Sequence, residues 1–183
     1  MLSTRRLVLS KPSISDFSLF SEILSCPQQT RYLPNKAPYS IIQQETYLNK
    51  RIDHWHQHGF GTFVLSLRND ALKSTSLNDT NLIKTNTKLG FIGIEFTPKS
   101  DKVDIRFALM KEHQGLGYTC EAAKAVLAYM TENTQHRHIY GAAMPDNQAS
   151  KSVLIKLGMT PNLDVKLYNT DALDYFSLIL NLG

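Results

Sequence analysis

Cysteine is scarce in this chain: its 183 residues include only Cys26 and Cys120, and neither belongs to a CxxC pattern. Two thiols cannot make a disulfide framework, so a reducing, cytoplasmic setting is expected. No apolar run approaches the roughly 18–20 residues that a bilayer-spanning helix requires, so no membrane association of that kind is expected. The opening residues Met1 to Arg6 lack the apolar stretch of a secretory leader and run straight into strand-like sequence. Lys and Arg outnumber Asp and Glu by 20 to 16, a formal charge of +4, yet they are scattered and form no basic arm. Arg residues interleaved with aromatics are also missing, so direct nucleic-acid binding is not expected. The excess charge then reads as solvated surface or as attraction for an anionic ligand.

What is present is ordinary globular material. Hydrophobic residues make up 42% and charged residues 20%, in a length suited to one domain spanning 1–183. Thr4 to Ser10 alternates as a strand ending near Pro12. Ser13 with Asp16 signals a capping box, and Phe17, Phe20, Ile23 and Leu24 follow at helical spacing. Pro27 and Pro34 bracket a loop. Ser40 with Gln43 opens a second helix, with Ile41, Leu48, Ile52 and Trp55 on one face and Gly59 just past its end. Thr62 to Leu67 is a strand, and the polar stretch at about 69–88 reads as an exposed loop insertion. Leu89–Phe96 and Val103–Met110 are strong strands separated by a Pro-Lys-Ser-Asp turn. A helix from Gly117 to about Thr131 buries Ala122, Ala125, Val126 and Tyr129. His138–Met144 is a short strand, Asn147–Leu157 a helix stopped by Gly158, and Met159–Leu167 and Leu173–Leu180 two closing strands. This order predicts an α/β (mixed, α+β-like) fold, one mixed sheet flanked by helices.

The stretch that carries chemistry is Gln114-Gly115-Leu116-Gly117-Tyr118-Thr119, placed after a strand and at the start of a helix. Glycines there let the backbone turn tightly and approach a ligand closely. The helix start adds unpaired N–H donors and partial positive charge, which suits a pyrophosphate. The stretch is neither the phosphate loop GxxxxGK followed by Ser or Thr, nor a full GxGxxG, since position 120 is Cys.

This segment resembles motif A of the GNAT acetyltransferases, Q/R-x-x-G-x-G/A, with Gln114 first and Gly117 fourth. Pro145-Asp146-Asn147-Gln148-Ala149-Ser150 and Lys156-Leu157-Gly158-Met159 are similar to the PxNxxS…KLGF pattern of motif B. The opening STRRLVLSKPSISDF is similar to the start of the subgroup that acetylates ribosomal-protein N-termini (RimJ/RimL-like). The resemblance implies a GNAT-type domain whose sheet splays between the strand before motif A and the next strand, with acetyl-CoA as co-substrate and no metal. It implies that Phe107 and Leu109 offer backbone contacts to the pantetheine arm. Backbone N–H groups of Gln114, Gly115, Leu116, Gly117, Tyr118 and Thr119 would hold the diphosphate, and Asn147 would meet the pantetheine or thioester region. Thr119 stands where the family prefers Gly or Ala, and Leu116 replaces a frequent basic residue.

The implied reaction is attack by a primary amine on the thioester, which calls for a proton acceptor and for donors near the developing oxyanion. Asp104 is the first candidate base, with pairing to Arg106 or Lys102 as its plain structural reading. Glu95 competes, or is a solvated face residue. Ser150 is a candidate for orienting the thioester or the departing thiolate. The position where some family members carry an acidic tyrosine holds Leu154 and Ile155. The implied acceptor is the N-terminal α-amine of a ribosomal protein, with polyamines, amino acids or antibiotics as alternatives. A silent acyl-CoA-binding module is the reading from another class, and monomer and homodimer both remain open. Asp53, His54, His56 and His58 raise a metal reading, but of the histidines only His54 and His58 share a helix face, so a solvated helix end is expected. Cys120 reads as a bystander thiol, and Trp55 as core or cleft wall.

Overall fold

The computed structural model describes residues 1–33, 36–68, 87–98, 101–170 and 172–181. Their strands are β1 (Leu2–Ser3), β2 (Leu7–Ser10), β3 (Thr62–Leu67), β4 (Lys88–Phe96), β5 (Val103–Leu109), β6 (His138–Ala143), β7 (Thr160–Pro161) and β8 (Asp174–Ile179). The helices are α1 (Phe17–Ser25), α2 (Pro27–Thr30), α3 (Ile41–His58), α4 (Tyr118–Asn133) and α5 (Gln148–Lys156). One sheet runs in the order β1-β2-β3-β4-β5-β6-β8-β7. Every neighbouring pair is antiparallel except β5 and β6, which are parallel.

The helix boundaries follow the local chemistry. Ser40 accepts from Gln43 N–H at 3.4 Å while the Gln43 side chain accepts from Ser40 N–H at 2.8 Å, closing the expected capping box on α3. Gly59 takes the left-handed conformation at the other end, φ 73°, with its N–H donating to Trp55 O at 3.1 Å. Asp16 reaches back to Ser13 N–H at 2.7 Å, but the first turn it opens, Ile14–Asp16, is a 3-10 turn leading into α1. Asn147 caps α5 by accepting from Ser150 N–H at 3.1 Å.

The sheet has two covered faces. On one, α4 and α5 bury Ala122, Val126, Met130 and Leu154 against Leu7, Ile92, Ile105 and Ile139. On the other, α1 and α3 bury Phe20, Ile23, Leu24 and Leu48 against Val64 and Phe91. The Phe20 ring stacks on Phe91 with centroids 4.8 Å apart, fixing α1 over β4. Full burial of a ring such as Phe20 stabilises by about 1.5–3 kcal/mol.

Several expectations need correction. The segment bracketed by Pro27 and Pro34 contains α2, because a proline at the first helical position costs no hydrogen bond. Met159–Leu167 forms a strand only at Thr160–Pro161. Pro161 has no N–H to continue a ladder, and Val165 and Leu167 instead pack with Tyr175 in a small separate cluster. On α3 the buried positions are Gln44, Leu48, Arg51 and Trp55, whereas Ile41 is exposed. On α4, Ala123, Leu127 and Met130 are buried with Ala122 and Val126, while Ala125 and Tyr129 are half-buried. The predicted loop at about 69–88 lies outside the described residues over 69–86, and β4 already begins at Lys88.

Candidate active site

The parallel ladder between β5 and β6 is short. Only Val103, Asp104 and Ile105 find partners, opposite Ile139, Tyr140 and Gly141, and beyond Ile105 the two strands part. On its other side β5 stays paired with β4 as far as Leu109. Met110 N–H donates to Leu89 O at 2.8 Å and Thr97 N–H to Lys102 O at 2.9 Å. Antiparallel alternation then directs the N–H and C=O of residues 103, 105, 107 and 109 away from β4. Phe107 and Leu109 therefore present main-chain groups to the gap. The Leu109 carbonyl is already engaged, accepting from the side-chain amides of Gln29 at 2.7 Å and Gln114 at 2.8 Å.

At the wide end of the gap lies the glycine turn. Gly115 and Gly117 have φ of 75° and 79°, a region that glycine enters without strain. Residues 114–117 are exposed. A Cβ built on Gly115 would meet nothing within 4 Å, and one on Gly117 only Arg6 Nη2 at 3.5 Å. α4 starts directly after this turn, and among the described residues no side chain caps its first amides. The N–H groups of Tyr118 and Thr119 thus lie at the positive end of a 16-residue helix, next to the exposed turn. A phosphate would satisfy them.

Arg6 supplies charge to this turn that the sequence left unassigned. Its Nη1 donates to Leu116 O at 3.0 Å, and its guanidinium lies over the Tyr118 ring at 4.4 Å. Glu121 holds it from behind, accepting from Arg6 Nε at 2.6 Å and from Arg6 N–H at 2.8 Å. Burial alone would raise the Glu121 pKa, but the bonds from Thr4 and Arg6 hold the carboxyl below its ordinary value. A basic residue at Leu116 is missing, yet a guanidinium from β2's approach segment reaches the same turn.

Near the narrow end, the face under α1 and α3 carries a row of polar side chains. Glu95 on β4 stands directly opposite Asp104 on β5. Both are buried, 4% and 2% exposed, so the solvated-face reading of Glu95 does not hold. Opposed carboxylates repel, and Arg106 resolves the conflict by bridging them. Its Nε donates to Asp104 Oδ1 at 2.9 Å and its Nη1 to Glu95 Oε2 at 3.0 Å. Arg51 from α3 adds a second cation, with Nε 3.7 Å from Glu95 Oε1, and Thr62 donates to the same oxygen at 2.7 Å. The Tyr168 hydroxyl donates to Asp104 Oδ2 at 2.5 Å. Burial pushes the Asp104 pKa up, against the pull of Arg106 and Tyr168. Burial would also discourage the Arg106 charge, but Asp104 outweighs it and keeps the guanidinium protonated.

The comparisons with known proteins match this architecture. A family model described as "Acetyltransferase (GNAT) domain" matches residues 6–160. The chain belongs to the GNAT acetyltransferase family. Among solved structures, an acetyltransferase from Agrobacterium tumefaciens superposes with a TM-score of 0.80 at 21% identity, over 97% of this chain and 92% of that one. A RimL ribosomal-protein α-N-acetyltransferase in complex with coenzyme A gives 0.71 at 16% identity, over 97% and 96%. A Vibrio cholerae spermidine N-acetyltransferase in complex with coenzyme A and spermine gives 0.67 at 16%, over 93% and 92%.

In this GNAT domain Asn147 uses its Oδ1 for the helix cap, which leaves its amide nitrogen for other partners. Ser150 follows in the first turn of α5, half-buried. Of the tyrosine position in α5, Leu154 is buried in the core and Ile155 is exposed. His54 is fixed as a structural residue: Phe96 N–H donates to its Nε2 at 3.1 Å, so Nδ1 carries the proton and donates to Phe60 O at 2.8 Å. Burial lowers its pKa. For His54 this replaces the solvated helix end expected there, whereas His56 and His58 are exposed. Trp55 is core, its indole N–H donating to Thr62 O at 2.6 Å.

Sequence reasoning missed Arg6, Gln29, Arg51 and Thr62 as members of these sites, and named Arg106 only as a pairing partner. Spacing alone puts Arg51 seven residues after Gln44 and four before Trp55, on the face that Leu48 marks as buried, but it does not name the carboxylate partner.

Proposed function

We propose that this chain transfers the acetyl group of acetyl-CoA to the N-terminal α-amine of a protein, with a ribosomal protein as the first acceptor class to test. The observation that carries the first half is the exposed Gly115–Gly117 turn feeding an uncapped helix start at the mouth of a strand gap. In this reading the amides of Gln114 to Thr119 hold the diphosphate, with Arg6 beside them, and Phe107 pairs with the pantetheine amides. Asn147 Nδ2 and Ser150 lie toward the thioester. Asp104 serves as the general base, with Glu95 as its charged neighbour.

Support for a peptide acceptor comes from the charge and hydrogen-bonding character of the opposite face. Two carboxylates, Glu95 and Asp104, are matched there by two guanidiniums, Arg51 and Arg106. A polyamine carries several positive charges and would favour an acidic cleft. Among the described residues Gln44 Oε1, on the buried face of α3, has no hydrogen-bond partner, and Arg51 Nε has the 3.7 Å ion pair with Glu95. A peptide offers both N–H and C=O groups to polar side chains of this kind, whereas a protonated polyamine offers only donors. RimL, by name a ribosomal-protein α-N-acetyltransferase, and the spermidine enzyme are equally distant in sequence, so the support for a peptide acceptor rests on the character of this face.

The test is release of free CoA in the presence of N-terminal peptides, polyamines and free amino acids. Amine-dependent turnover strongest with peptides supports the reading. Turnover confined to polyamines would replace the acceptor, and binding of acetyl-CoA without turnover on any amine would make the chain a silent binding module.

A further inference from the structure

Asp104 cannot meet an amine directly. It is 2% exposed, and both carboxylate oxygens are taken: Oδ1 by Arg106, whose Nη2 lies 2.8 Å away, and Oδ2 by Tyr168. Tyr168 belongs to the segment between β7 and β8, packs with Tyr140 and Tyr175 on the same face as Asp104, and is half-buried. Its ring thus lies between the carboxylate and solvent. Asp104 pairs with Tyr140 one residue before the strands part at Ile105 and Gly141, so this pair of groups sits at the closed vertex of the gap. A thioester drawn into the gap from the 114–119 turn ends toward that vertex.

We infer that Tyr168 is the group that touches the acceptor amine, relaying its proton to Asp104. As the amine nitrogen forms its bond to the acetyl carbon, the C–S bond breaks and CoA leaves as thiolate. The nitrogen gives its proton to the phenol oxygen, and the phenol passes its own proton to Asp104 Oδ2. Water protonates the released thiolate, and Asp104 later returns its proton to water, so the net reaction is amine plus acetyl-CoA to amide plus CoA. Burial and the Asp104 charge both hold the Tyr168 pKa above its ordinary value, so the group works as a phenol and not as a phenolate. The charged groups facing the pair are Arg106 from β5, Glu95 from β4 and, beyond Glu95, Arg51 from α3.

This inference rests on the acetyltransfer reading, and one set of measurements separates the two. Wild-type turnover on the amine panel tests that reading first; if no amine is acetylated, both fall. Given turnover, Tyr168→Phe, which removes only the hydroxyl, should lower kcat about 10²-fold with KM for acetyl-CoA within about twofold. Asp104→Asn should lower kcat comparably, and the double variant should fall no further than the weaker single variant, because the two groups act as one unit. A proton inventory in mixed H2O and D2O should be curved in the wild type, from two protons in flight, and linear in Tyr168→Phe. If Asp104→Asn does not fold, the Tyr168→Phe rate and inventory decide alone. Tyr168→Phe turnover within about threefold of wild type, or single losses that multiply in the double variant, would overturn the relay. A merely structural tyrosine would lower thermal stability while leaving the inventory unchanged.

Discussion

Replacing Gly117 by Ala separates a phosphate cradle from an ordinary turn. The residue sits at φ 79°, where an L side chain costs roughly 1–2 kcal/mol. The added methyl meets no protein atom closer than Arg6 Nη2 at 3.5 Å, so the strain is the main cost to the free protein. If the backbone keeps its shape, the methyl projects into the space a phosphate must enter. If the backbone relaxes, the amides at the start of α4 turn away. Either way about two charge-assisted bonds are lost, each worth roughly 1.5–3 kcal/mol. At 1.4 kcal/mol per decade, that weakens CoA binding by about 10²- to 10⁴-fold. Gly59 is the matched control: it has φ 73°, nothing within 4 Å of its Cβ position, and closes the far end of α3. Thermal unfolding should show Gly59→Ala and Gly117→Ala destabilised to a similar degree, while titration calorimetry shows only the second losing CoA. Gly117→Ala binding CoA within about threefold of Gly59→Ala would refute the cradle.

Three further outcomes follow from the buried polar groups. Arg106→Gln leaves Glu95 and Asp104 opposed without their bridge and should destabilise by about 3–5 kcal/mol at neutral pH in urea unfolding. The Asp104 pKa is already raised by burial, so the folded state binds its proton more readily than the unfolded chain. Loss of stability should therefore grow as pH rises above the ordinary carboxylate range and recover on acidification; a pH-independent loss would count against this. The His54 pKa is lowered by burial, so below its ordinary value of 6.5 the unfolded chain gains the proton first and stability declines with falling pH. His54→Asn should make that decline shallower, though not abolish it, because burial lowers His136 as well. Trp55→Phe orphans the Thr62 carbonyl and should cost about 1–3 kcal/mol with an unchanged urea m-value; a cost under about 0.5 kcal/mol would mean the indole bond is not structural.

What the sequence made legible was local. The Ser40–Gln43 cap, the Gly59 stop and the Gln114–Thr119 turn each depend on residues within one or two turns, and each stands where its chemistry placed it. The Asp104–Arg106 pairing was readable for the same reason, since the two residues are alternate neighbours on one strand. The Tyr168 bond to Asp104 spans 64 positions and the Arg6 bond to Glu121 spans 115, so neither leaves a trace in spacing. Arg51 and Gln44 were hidden by type: polar side chains on a helix are expected in water, and only the carboxylates beneath explain an arginine there. Val165 and Leu167 alternate like a strand, but Pro161 ends the ladder before them.

The most direct measurement is a crystal structure of the protein with acetyl-CoA. The diphosphate oxygens should lie about 2.7–3.1 Å from main-chain nitrogens between Gln114 and Thr119, with the pantetheine running along Phe107 toward Ile105. A nucleotide seated elsewhere, with those amides still facing solvent, would contradict this placement.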